Sequence, residues 1–216
     1  MIGDISAARG DQVENLMSLS DNKKNVLINA GLTAFSRCGY RKCSVSDIAS
    51  LAGVAKSMIF HYFGTKKNVY FYLIEFIRDT IVNEFKSTSI DAESDFFERI
   101  RLGTAVKVAV LKRYPHAVSF IKNFCFETDP EVVDDIKVWL AHGFNFSSSF
   151  ALRDIDLEKF KPGIDPSLVV RMLHTYSEGF MAKAQHQPDL DIDEITAEFY
   201  QCLNMLRQNL YSEGFL

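Results

Sequence analysis

Within two helical turns the chain places a cation, a hydroxyl, two aromatic rings and an imidazole: Lys56, Ser57, Phe60, His61 and Tyr62. Such a set suits contact with a polyanion. A lysine meets phosphates, hydroxyl and imidazole groups reach phosphates or base edges, and a ring packs on a sugar or a thymine methyl. Ile59 and Phe63, four residues apart, fall on the other side and face inward. Thr65 then offers an N-cap for the next helix, with Lys66 and Lys67 in its first turn. Cations there oppose the helix dipole, at a cost of about 0.3 kcal/mol. That cost is tolerable where the lysines face phosphates.

The elements that must position these groups are legible upstream. Ser44 and Asp47 have the Ser-x-x-Asp form of a capping box and open a short helix. Ile48, Ala49 and Ala52 form its inner face, and Gly53 is placed to end it in a left-handed conformation. Val54 plugs the turn, and residues 56–63 form the second helix. This is the layout of a helix-turn-helix, whose second helix enters the DNA major groove. The plainer reading of the same residues is a small buried helical corner with a solvated basic rim.

The wider pattern resembles the DNA-binding domain of the tetracycline-repressor (TetR) family of bacterial transcription regulators. The resemblance rests on Ala34-Phe35, Gly39-Tyr40, Ser44, Ile48-Ala49, Ala52-Gly53-Val54, Lys56, Ile59-Phe60-His61-Tyr62-Phe63, Lys66 and Lys67, across about residues 22–75. The family usually has Ser or Thr where this chain has Ala55, Gly where it has Ser57, and often Tyr where it has Phe60. Ala55 is a poor N-cap, and Phe60 lacks a hydroxyl for a phosphate. The resemblance implies that Ser44, Lys56, Ser57, Phe60, His61, Tyr62 and Lys66 contact a double-stranded DNA operator. It also implies an all-α, two-domain homodimer whose second domain binds a small apolar or amphipathic effector.

Charge agrees with a DNA-binding head on a different body. The 216-residue chain has a net charge of −4, yet residues 21–70 hold eight Lys/Arg against two Asp/Glu, a net of +6. The rest carries −10, so overall pI conceals the asymmetry. Hydrophobic residues at 47% and charged residues at 24% are ordinary for a folded soluble chain. No apolar run approaches the roughly 18 residues of a membrane span, and no secretory signal is visible. Cys38, Cys43, Cys125 and Cys202 form no C-x-x-C pair. Reduced thiols in a cytoplasm are expected, with no metal site and no cofactor.

The expected order is an arm or helical extension over residues 1–20, a helix-turn-helix domain over 21–67, and a helical effector-binding and dimerisation domain over 68–216. The first helix runs from Asp21 to Cys38 with Leu27, Ala30, Ala34 and Phe35 as its stripe. A longer helix follows from Lys66 to Phe85. Further helices are expected at residues 94–114, 116–127, 129–153, 166–187 and 191–211, with Asp129-Pro130 and Asp165-Pro166 as N-cap and N1 pairs. The body's aromatic residues suit a helical core or a mostly apolar pocket. Phe97, Phe120, Phe124, Trp139, Phe144 and Met172 are the expected effector residues. Leu168, Tyr176, Phe180, Phe199, Leu203 and Leu206 are the expected dimer interface, on the two last helices.

No G-x-S-x-G, phosphate loop or H-E-x-x-H motif points to an enzyme. The expectation is therefore a transcription regulator, a repressor released by a small molecule. Two alternatives keep the DNA binding and drop that effector: a DNA-organising factor with a filled core, and a regulator whose body answers to another protein.

Overall fold

The computed structural model describes residues 19–184 and 191–216. The expected N-terminal arm lies almost wholly outside them, as does the helix end expected at Pro188. Among the described residues there are nine α-helices and three short 3-10 turns; one antiparallel bridge, Phe160 to Tyr211, is the sole strand-like pairing. The protein is all-α. Its contacts divide it into two compact units, one up to Arg78 together with Tyr114–Asp134, the other Asp79–Arg113 together with Asp135–Leu216.

In the first unit, α1 (Asp21–Lys42) buries Leu27, Ala30, Ala34 and Phe35, the expected stripe, and adds Ile28, Gly31 and Leu32. Gly39 interrupts it at φ 65°, a left-handed conformation that glycine adopts without a Cβ penalty. The short helices α2 (Val45–Ala52) and α3 (Lys56–Phe63) follow. Next comes α4 (Lys66–Ser87), whose first turn is capped by Thr65 Oγ1 accepting from the Asn68 N–H at 3.1 Å. Gly31 is needed where α1 crosses α4, because a Cβ there would come within 2.8 Å of the Leu73 side chain.

Helix α6 (Ala117–Cys125) closes this unit against α1. Asn123 Nδ2 donates to the Phe35 and Ser36 carbonyls at 3.0 and 2.8 Å. These bonds fasten α6 to α1 just before its break at Gly39. Phe120 and Phe124 of α6 join Phe35, Tyr40 and Tyr70 in a fully buried aromatic cluster. Tyr70 lies at its centre, 4.8–5.4 Å from the other four ring centroids.

The second unit is built from α5 (Phe96–Arg113), α7 (Val133–Leu152), α8 (Pro166–Ala184) and α9 (Ile192–Leu210). Its core gathers Phe96, Phe97, Phe160, Val169, Val170, Leu173, Leu203 and Tyr211. This corrects one expectation. Leu203 is 3% exposed, so its own chain already covers it and it has no surface left for a partner. Phe199 and Leu206 pack against the edge of the same core.

One predicted start is displaced. Asp165-Pro166 opens α8 as expected, with Asp165 Oδ1 accepting from the Ser167 N–H at 2.9 Å. Asp129-Pro130 instead lies in a turn, and α7 begins only at Val133. There Glu127 Oε1 accepts from the Thr128 and Asp129 N–H groups, and Asp129 Oδ1 accepts from Glu131. The Asp129 bond is the same cap that Asp165 makes, and the Val133 N–H donates to Asp129 O at 3.0 Å, so this pair caps an irregular first turn ahead of the regular helix.

Asp95 ties the end of the chain to this core. Its carboxylate caps α5 through the Glu98 N–H at 3.0 Å and meets Lys159 Nζ at 2.9 Å and the Tyr211 hydroxyl at 3.3 Å. Burial opposes its charge, but the Glu98 N–H, Lys159 and Arg207 outweigh it and hold the Asp95 pKa below the ordinary carboxylate value. A depressed folded pKa contributes stability above the unfolded value, about pH 4, that is lost as pH falls through the folded one. Asp95→Asn should therefore lose about 2 kcal/mol at pH 7, a figure discounted for the partly exposed Lys159. Its further decline between about pH 5 and pH 3 should be shallower than wild type. Urea melts across that pH range check both statements.

Candidate nucleic-acid interface

The turn that presents α3 is fixed by local bonds. Ser44 Oγ accepts from the Asp47 N–H at 3.2 Å and donates to Asp47 Oδ2 at 2.7 Å; the Ser44 N–H donates to the same oxygen at 2.8 Å. The capping box is thus complete at the start of α2, and these bonds from Ser44 hold the Asp47 carboxyl below its ordinary pKa. At the other end Gly53 sits at φ 66°, ψ 32°. Its N–H donates to Ser50 O at 3.3 Å, while Val54 N–H donates to Ala49 O at 3.0 Å. This paired closure is the Schellman motif, which needs a left-handed residue at that position.

Helix α3 starts without a side-chain cap at Ala55. Ile59 at 1% and Phe63 at 6% exposure hold it down. Lys56, Ser57, Met58, Phe60 and His61 face solvent, and Tyr62 is half-buried. Lys56 Nζ lies 5.8 Å from the Phe60 ring centroid, and the His61 and Tyr62 rings meet edge to face at 5.0 Å. The one acid within residues 41–63 is Asp47, already engaged by Ser44. The exposed face therefore carries cationic, hydroxyl, imidazole and aromatic groups with no free carboxylate of its own.

Sequence reasoning missed parts of this surface. Leu51 and Met58 are exposed apolar side chains at 45% and 40%, and Arg41 and Lys42 are exposed immediately before the turn. The charge count included these two cations, but nothing in periodicity marked their exposure. Lys66 is placed differently from the outer residues of α3. Its ammonium donates to Tyr40 O at 3.1 Å and lies 4.0 Å from the Tyr40 ring centroid. Lys67 Nζ donates to Glu131 O at 2.8 Å. Both lysines make intramolecular bonds.

The residues expected around an effector do not share one environment. Phe120 and Phe124 belong to the aromatic core of the first unit, and Phe97 to the core of the second. Trp139 and Phe144 are half-buried on α7, with the Phe144 ring 4.4 Å from His174. Met172 is 51% exposed. An open groove of the second unit is lined instead by residues such as Thr88, Ile90, Leu102, Ala105 and Val106. Of the expected interface residues, Leu168 is 49% exposed, and Phe180 is half-buried. The Tyr176 hydroxyl donates to Glu198 at 2.8 Å, joining α8 to α9, and its ring lies 6.3 Å from Phe199.

Comparison with known proteins gives three results of the same kind. The family model for bacterial regulatory proteins of the tetR family matches residues 27–73, from α1 into α4. The HTH-type transcriptional regulator RutR of Escherichia coli (strain K12) is 28% identical over 172 residues, spanning 77% of this chain and 74% of RutR. SmeT, the repressor of the Stenotrophomonas maltophilia multidrug efflux pump SmeDEF, has the same fold at a TM-score of 0.68. It is 19% identical, over 89% of this chain and 92% of that one. SmeT in complex with triclosan superposes at a TM-score of 0.69 and 20% identity, over 91% and 95% of the two chains.

The geometry separates side chains that hold the head together from those that are free to act outward. Ile59→Ala should destabilise the protein by about 2–4 kcal/mol. His61→Ala should stay within about 0.5 kcal/mol of wild type, as an exposed substitution does. Lys66→Ala should cost about 1 kcal/mol through its lost bond to Tyr40, and Lys56→Ala should cost nothing measurable. Chemical denaturation of the four variants checks the order.

Proposed function

We propose that this chain, a member of the TetR family of bacterial regulators, controls transcription by laying α3 in the major groove of a palindromic operator. One observation carries the reading. A rigidly capped helix-turn-helix presents Lys56, Ser57, Phe60 and His61 clear of the core, on a surface whose single acid is already engaged. Ser44 and Tyr62 flank this face, and Arg41 and Lys42 extend its charge. Lys66 acts chiefly by fixing the turn that aims α3. In this account residues 21–67 form the DNA head, and residues 68–216 form the body that senses and dimerises.

A single such helix contacts few base pairs, so a specific site needs a second head. The second copy docks through α8 and α9. Along α8, Leu168, Met172, Thr175, Gly179 and Ala182 are all exposed and recur at helical spacing, and among the described residues nothing lies within 4 Å of the position of a Cβ at Gly179. A small-residue stripe lets two helices approach closely. Met205, 55% exposed, adds an apolar contact from α9.

The protein acts as a repressor released by a small apolar or amphipathic molecule bound in its second unit. SmeT, a repressor seen with triclosan, supports this part of the reading by likeness of fold. Helix α4 has residues in both compact units, which makes it the element through which a body ligand can bias the heads. The ligand shifts operator affinity only through a difference in its own affinity for the DNA-bound and released states.

Operator binding should weaken with salt, and Lys56→Ala should lower affinity while reducing the log–log salt slope by about one. Unchanged affinity and slope would remove α3 from the interface. Met172→Glu should give a helical, folded monomer with lost operator binding, because a charge at a dimer contact is buried unpaired. Leu203→Glu should instead unfold the second unit. Sedimentation and circular dichroism distinguish the two. A Met172→Glu variant that stays dimeric and binds operator normally contradicts the proposed interface.

A further inference from the structure

Helix α3 turns three side chains farthest from its core: Ser57, Met58 and His61. With about 100° between successive residues, His61 lies opposite the mean direction of Ile59 and Phe63, and Ser57 and Met58 flank it at about 40° and 60°. All three are exposed, whereas Ile59 and Phe63 are buried. Ser57 and His61 are polar. Met58 is an apolar thioether, 40% exposed. It is the third residue of α3, in the part of a recognition helix whose side chains meet base edges. The other large apolar side chain exposed on α3, Phe60, lies on the flank toward Lys56, whose ammonium is 5.8 Å from its ring centroid.

A single exposed methionine on an ordinary surface calls for no explanation. Met58 lies instead on the face that enters the groove in the proposed complex. Its position there is firm, because its N–H donates to Ala55 O at 2.9 Å and Ile59 beside it is buried. A thioether has no donor and only a weak acceptor. Pressed against a polar base edge, it would strip water from groups that it cannot bond, at a cost. The major groove offers one apolar group, the C5-methyl of thymine. Met58 and that methyl shed water together, and an unbranched, polarisable side chain adapts its shape to such a contact.

We infer that Met58 is a specificity-determining residue of the DNA site, and that it selects thymine at one position of each half-site through the C5-methyl group. This deepens the reading of α3 as a DNA-reading helix and rests on it. The outer face then divides its work by chemistry. Lys56 meets the phosphate backbone, Ser57 and His61 have hydrogen bonds to give, and Met58 supplies the apolar contact. Recognition of this kind depends on the methyl and not on the base pair as such. Uracil keeps the hydrogen-bonding groups of thymine without the methyl, so it must bind less well at that position. 5-Methylcytosine carries a methyl at the same ring position, so it must bind better there than cytosine.

The test uses the full chain and the duplex that it enriches from a random pool. Thymines of that duplex are replaced by deoxyuridine one position at a time, in symmetry-related pairs, and affinity is read by fluorescence anisotropy at fixed salt. At one position wild type should lose about four-fold per half-site, the worth of one buried methyl group. Met58→Ala should keep the wild-type circular dichroism and bind the thymine duplex more weakly. At that position it should bind the thymine and uracil duplexes equally, and it should keep any sensitivity found at other positions. Met58→Gln, of similar length, is the second variant should the first fail to fold, and it too should lose the distinction. Wild type that binds every uracil duplex as tightly as the parent overturns the inference and leaves the DNA reading standing. So does an enriched half-site without thymine, or a sensitivity that persists at every position in both variants, which would assign the methyl contact to another side chain such as Phe60. If folded wild type enriches no duplex, the DNA reading fails and the inference with it.

Discussion

The DNA-binding head depends on how the peptide of Tyr40 is held from both ends. Its N–H donates to Glu127 Oε2 at 2.8 Å, and its carbonyl accepts from Lys66 at 3.1 Å, with the same ammonium over the Tyr40 ring. The bonds tie the end of α1 to the segment after α6 and to the start of α4. Only a left-handed residue at Gly39 turns the chain so that Tyr40 can enter the aromatic cluster. Four residues later Ser44 caps α2, so the direction in which α3 faces is inherited from this clamp. A DNA-reading helix needs such rigidity, because misplaced side chains lose their hydrogen bonds to base edges.

The second unit is organised by charge as much as by apolar packing. Asp95 gathers the Glu98 N–H, Lys159, Tyr211 and Arg207 around one carboxylate. Arg99 closes the carbonyls at the end of α7. Both are buried groups with their partners in place, which is the condition under which interior charge is tolerated.

What was legible in the sequence was what is decided locally. Ser44 with Asp47, Gly53, Thr65 and the Ile59–Phe63 spacing all act within one turn of their own positions, and all take their expected places. The aromatic rings of the body were legible as a group but not by address. Phe120 and Phe124 read as pocket residues, yet they complete the core around Tyr70, because the packing of α6 on α1 is a tertiary event without a sequence period. Leu203 shared a stripe with Phe199 and Leu206, and only the structure shows which of the three its own chain covers. Lys66 read as a phosphate contact, yet its ammonium is bonded to the Tyr40 carbonyl. Charge counting cannot tell a phosphate contact from a peptide clamp.

The central claim is that α3 reads DNA as one of a symmetry-related pair. Selection of random duplexes by the full-length protein, followed by footprinting of the enriched sequence, tests it most directly. The account predicts an inverted repeat bound by two chains, protected on one face of the duplex, with half-site centres about 34 Å apart or a multiple of that. Replacing Lys56 and His61 together should abolish the enrichment while leaving the fold intact. Enrichment of a single, non-repeated site by one chain, or the same sequence selected equally well by the doubly substituted protein, would contradict it.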